Sequence, residues 1–141
     1  MIRDARILVR ALREPASVGT LDGRQWSELI SIARAESLIG SLAHRLADIP
    51  VPDRVRAVLQ DAIEAHELAR RQALWEADCA RRALAAYPGK VVLMKGTAYV
   101  AANLSAGVGR SIGDLDIMVK RDDLPVVEAA LLDAGWEWVK P

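Results

Sequence analysis

Apolar residues recur at threes and fours through the first two-thirds of the chain, then give way to short runs and alternation. Ile2, Leu8, Val9 and Leu12 mark a first helix over 2–13, which Pro15 and Gly19 end. Asp22 is a plausible cap for a second, with Trp26, Leu29, Ile30 and Ala33 on its apolar stripe. Leu38, Ile39, Leu42 and Leu46 mark a third, with Gly40 inside it and Pro50 and Pro52 closing it. Pro52 and Asp53 then open a much longer pattern. It runs through Val55, Leu59, Ile63, His66, Ala73 and Ala80 to Leu84, and Tyr87-Pro88-Gly89 stops it. One helix of about 30 residues, or two with a bend, fits that spacing.

Beyond Gly89 the period changes. Val91–Met94 reads as a strand, Thr97–Leu104 as a helix, and Leu115–Val119 as a second strand after a loop containing Gly107, Gly109 and Gly113. Asp123 and Pro125 start another helix, Gly135 suits the position after its end, and Trp136–Val139 reads as a third strand. The expected fold is α+β. A helical amino-terminal layer over 1–88 precedes a βαβαβ unit over 89–141, with the boundary near Tyr87–Lys90.

Composition narrows the class. A chain of 141 residues is long enough for one real core, and 19 basic residues balance 19 acidic ones. A protein that grips nucleic-acid backbone carries a positive excess, so nucleic acid is disfavoured as a partner. The single cysteine, Cys79, has no internal disulfide partner and reads as a buried small hydrophobe in a reducing compartment. The amino terminus is broken by charges every few residues, with neither a signal segment nor a membrane span, so a cytoplasmic, soluble protein is expected.

Candidate chemistry gathers between Val91 and Val119. Alternation along the second strand places Leu115, Ile117 and Val119 on one face and Asp114, Asp116 and Met118 on the other. Two carboxylates two residues apart have Cα atoms about 6.5 to 7 Å apart, close enough to share one hard cation or bridge two. Such a pair is also met as the acidic outer face of a half-buried strand. Like charges so placed call for a cation or a basic side chain, and Lys95 and Arg110 are near in sequence. Gly96, between a strand and a helix, can let a phosphate approach the backbone, and Thr97 can cap the helix or donate to the same phosphate. A plain strand-to-helix turn uses the same residues.

Other motifs fail on context. Gly107 to Gly113 follows a helix and leads into a strand, the reverse of a dinucleotide site. His66-Glu67-Leu68-Ala69-Arg70 begins like a zinc-protease helix but has Arg70 where the second histidine must stand. His44 and His66 therefore read as structural, and Arg70-Arg71 and Arg81-Arg82 as a solvated helix face.

Taken together, Leu93-Met94-Lys95-Gly96-Thr97-Ala98-Tyr99, then Gly109-Arg110, then Gly113-Asp114-Leu115-Asp116-Ile117-Met118-Val119, resemble the polymerase-β-like nucleotidyltransferase superfamily. More narrowly they resemble its branch of uncharacterised nucleotidyltransferases, with the pattern L-K-G-x-A, a spacer, R, then D-I-D-L-h-V. That branch also has a helical amino-terminal region with a Val-Pro before the long helix. The resemblance implies that Gly96 and Thr97 hold nucleotide phosphates and that Asp114 and Asp116 are catalytic, metal-binding carboxylates for magnesium or manganese. It also implies transfer of a nucleoside monophosphate from an NTP to a hydroxyl acceptor, which the sequence does not identify. Lys95, Arg110 and Ser111 complete the nucleotide-binding set, Lys95 and Arg110 either touching the triphosphate or only neutralising the aspartates.

A third carboxylate, expected on a later strand as base toward the attacking hydroxyl, is not evident. Asp122, Asp123, Glu128 and Asp133 fall at or within the following helix, and Glu137 needs a favourable turn of the last strand. The core is therefore expected to be truncated at its carboxyl end. The alternative is an inactive fragment or paralogue acting as a protein-binding module, docking a partner or a second copy through the helical layer.

Overall fold

The computed structural model describes residues 5–139. Four helices come first: α1 (Arg6–Arg13), α2 (Gly23–Ala35), α3 (Ile39–Arg45) and α4 (Asp53–Ala83). β1 (Val92–Leu93), α5 (Lys95–Ala101), β2 (Ile117–Met118) and α6 (Leu124–Asp133) follow. Ile2, expected in the first helix, lies outside the described residues.

Local chemistry explains the helix ends. The Asp22 carboxylate accepts from the Gln25 amide at 2.8 Å while the Gln25 side chain accepts from the Asp22 amide at 2.9 Å, a reciprocal cap for α2. Arg56, one turn into α4, donates to the carbonyls of Leu46, Ala47 and Ile49, satisfying the chain end that follows α3. α6 ends as expected at Gly135, whose φ is +95°, with the Trp136 amide bonded back to Leu131 O and the Gly135 amide to Leu132 O.

The main core lies in the helical layer. Leu29, Leu42 and Leu46 are fully inaccessible, and Leu8, Val18, Trp26, Val55 and Leu59 close around them. α4 runs unbroken for 31 residues, about 46 Å, because no glycine or proline interrupts it. Its first turns bury Val55 and Leu59 in this core; further along it packs against α5 and α6. The long pattern is therefore one helix and not two.

The β part is smaller than the sequence pattern predicts. β1 and β2 pair antiparallel, Val92 opposite Met118 and Leu93 opposite Ile117, and form a two-stranded sheet. Trp136–Val139 follows the end of α6 without pairing to either strand, so the expected third strand is not formed among the described residues. A strand pattern records alternation but not a partner, and only a paired segment becomes a strand. Cys79 is half-buried rather than buried, with an Arg82 guanidinium nitrogen 3.4 Å from its Sγ. Among the described residues no helix is long and apolar enough to cross a membrane.

Candidate functional site

The sheet register brings the two halves of the predicted site together. Beyond the Leu93–Ile117 pair, the Met94 amide donates to Asp116 O at 2.9 Å, so the start of α5 faces the aspartate segment. The Lys95 ammonium then reaches Asp116 Oδ1 at 3.0 Å. Both side chains keep solvent access, 69% for Lys95 and 35% for Asp116, so the pair is open to a ligand. Asp114 is exposed just before it. Lys95 holds φ at +50°, a left-handed backbone that a non-glycine residue adopts at a cost of about 1 to 2 kcal/mol. Strain of that kind gathers at functional sites.

Arg110 arrives from the glycine loop. Its guanidinium lies 5.4 Å from the Tyr99 ring centroid, and its Nε stands 3.6 Å from where a Cβ on Gly96 would be. The Arg110 and Ile112 side chains thus lie over Gly96, while Thr97 is buried at 1% exposure. Of the seven predicted residues, Lys95, Arg110, Asp114 and Asp116 present accessible charge. Gly96 and Thr97 lie inside the fold beside them. Ser111 is exposed and, together with Arg110, lines a cleft of about 280 Å³ that also touches Arg34, Ser37 and His66.

The loop itself is held by residues that the sequence left as structural. Gly109 packs backbone to backbone on Gly40 of α3: a Cβ on Gly40 would stand 2.5 Å from Gly109 O, and one on Gly109 would stand 2.4 Å from Ser41 N. Gly109 also has φ of +69°, which glycine adopts freely. On its α4 side the Gly109 amide donates to His66 Nε2 at 3.1 Å, and His66 Nδ1 lies 3.3 Å from Arg110 O. The His44 ring meets His66 edge-on at 5.2 Å, and burial holds the His44 imidazole below its ordinary pKa, with His66 adding to the effect and Glu67 opposing it. No sequence signal joins His66 or Gly40 to a loop so distant in the chain; only the position of His66 on the apolar stripe hinted at burial.

Elsewhere the sequence reading holds in its charges. Arg70 and Arg71 pair with Glu67, and Arg81 and Arg82 with Asp78, along an exposed face of α4. The Arg81 hydrogen bond lowers the Asp78 pKa, with burial opposing it. Asp123, one of the carboxylates weighed as a third site residue, accepts instead from the Tyr87 hydroxyl at 2.6 Å. Among the described residues no group of three His, Cys, Asp or Glu side chains is placed to hold a metal ion.

A family model described as uncharacterised nucleotidyltransferase matches residues 22–141, and the chain belongs to that family. The match takes in α2 through α6, so the helical layer from α2 onward and the Lys95–Asp116 site fall within it, while α1 lies before it. No curated protein and no solved structure matches the chain.

Proposed function

We propose that the chain is a nucleotidyltransferase domain that binds an NTP with magnesium or manganese and transfers its nucleoside monophosphate to a hydroxyl acceptor. The observation that carries this reading is the Lys95–Asp116 contact across the β1–β2 pair, which joins the Lys-Gly-Thr turn to the Asp-x-Asp segment in one exposed place. On this reading β1, α5 and β2 carry the nucleotide-binding residues.

The donor set fits a nucleotide-borne metal. Two carboxylates are too few for a dedicated cage, but magnesium is commonly held by one or two carboxylates together with substrate phosphates. Asp114 and Asp116 would hold it, releasing Lys95 from Asp116 toward the triphosphate. Bound there, the metal would neutralise charge on the entering and leaving oxygens. The acceptor hydroxyl oxygen attacks the α-phosphorus in line, forming a new P–O bond while its proton passes to solvent water, the bond to the oxygen bridging to the β-phosphate breaks and pyrophosphate leaves. Lys95 and Arg110 take negative charge from the phosphates, and most of the rate gain lies in positioning and charge neutralisation.

Calorimetric titration with each NTP, with and without the metal, tests the reading on the parent chain and on the Asp114→Asn/Asp116→Asn pair. Binding should require metal and vanish in the double variant. Binding of equal strength in both chains would refute the assignment of the aspartates.

A further inference from the structure

His66 stands midway along α4 at 9% exposure, and both of its ring nitrogens serve the glycine loop. A backbone N–H can only donate, so Nε2 accepts from Gly109; a carbonyl can only accept, so Nδ1 donates to Arg110. The ring is therefore neutral, with its proton on Nδ1. The two bonds hold the Gly109–Arg110 dipeptide at both ends, by the N–H that enters it and the carbonyl that leaves it. The Gly40 backbone closes the loop from α3, and the His44 ring, edge-on at 88°, limits how the His66 ring can turn. From this pinned backbone the Arg110 side chain extends past Tyr99 to the start of α5.

We infer that His66 is a positioning residue for the nucleotide site: it fixes the backbone from which Arg110 reaches a phosphate beside Lys95. This rests on the nucleotidyltransferase reading above. His66 has no need to touch the nucleotide; its effect passes through Arg110. A guanidinium on a loose loop would bind the same charge, but ordering it on binding costs affinity that a preset arm retains.

Three substitutions separate positioning from mere packing. His66→Ala removes both bonds, His66→Asn keeps an amide N–H near the place of Nδ1, and His66→Gln keeps an acceptor near the place of Nε2. Each is titrated calorimetrically with ATP, GTP, CTP and UTP in magnesium, alone and combined with Arg110→Ala, with thermal unfolding measured in parallel. His66→Ala should weaken NTP binding about tenfold, the scale of one lost hydrogen-bonded contact. Asn should restore part of the loss, since it keeps the bond to Arg110 O. In the Arg110→Ala background the same change should cost less than about twofold, because the arm being positioned is gone.

An equal loss in both backgrounds, or no loss in the parent background, overturns the inference. If His66→Ala does not fold, the Asn and Gln variants carry the same comparison, each retaining one bond. Absence of NTP binding in the parent chain would instead defeat the nucleotide reading itself, which keeps the two failures apart.

Discussion

Lys95 offers a sharp test, because its backbone and its side chain make opposite demands. Its φ of +50° suits glycine, while its ammonium forms the contact with Asp116. Lys95→Ala and Lys95→Gly both delete the ion pair, which is exposed and contributes about 0 to 1 kcal/mol. They differ in the backbone alone. Alanine keeps the left-handed cost of about 1 to 2 kcal/mol that glycine escapes. Glycine gives back about 0.4 to 1 kcal/mol through the greater freedom of the unfolded chain. The net expectation is that Lys95→Gly is more stable than Lys95→Ala by about 0.8 kcal/mol at the centre of these ranges, which span about 0 to 1.6 kcal/mol, the reverse of the usual order inside a helix. Urea denaturation followed by circular dichroism measures the difference directly. Both variants should lose NTP affinity by about tenfold or more, since a charged contact to phosphate contributes about 1.5 to 3 kcal/mol. An alanine variant more stable than the glycine variant by about 0.4 to 1 kcal/mol, the unfolded-chain effect alone, would show that position 95 carries no backbone strain. Undiminished NTP binding in both would reduce Lys95 to a neutraliser of Asp116.

Further outcomes follow from other contacts. Gly40→Ala should destabilise the fold by about 1 to 3 kcal/mol and weaken NTP binding, because its Cβ meets Gly109 O at 2.5 Å; chemical denaturation and titration check both. Gly96→Ala should leave stability unchanged or raised by up to about 1 kcal/mol, since the nearest contact of a Cβ there is an ordinary 3.5 Å; a large loss in a thermal melt would contradict this. The His44 pKa is lowered by folding, so the unfolded chain takes that proton first as pH falls. Its contribution to stability is full above the unfolded value near 6.5 and is lost as pH falls through the folded value; His44→Phe should flatten this slope in denaturation curves taken across that window. The Tyr87 pKa is raised chiefly by its hydrogen bond to Asp123, with burial and the Asp123 charge adding to it, and ultraviolet titration should find it moving back toward 10.0 in Asp123→Ala.

The helices were legible because their signals are local. Asp22, Pro52 with Asp53, and Gly135 mark ends that need no knowledge of the rest of the chain, though the reciprocal bond from Gln25 was not read. A cation beside the aspartates was legible too, since like-charged neighbours such as Asp114 and Asp116 call for one; the sequence offered both Lys95 and Arg110, and it is Lys95 that meets Asp116. What depended on a distant partner was hidden. Leu115–Val119 alternates over five residues, yet only Ile117 and Met118 find a strand to pair with. Cys79 sits among apolar residues in sequence, but helical rotation leaves it half-buried beside Arg82. His66 looked like any buried polar residue until the loop that satisfies both its nitrogens was in view.

The meeting of Gly40 and Gly109 makes two remote positions behave as one. A methyl group acquired at either fills the same gap, and neither residue has a side chain to surrender in compensation. Substitution at one cannot be rescued by change at the other, so repair must come from moving α3 or re-forming the loop. Variation in the helical layer is thereby tied to the place where Arg110 is held.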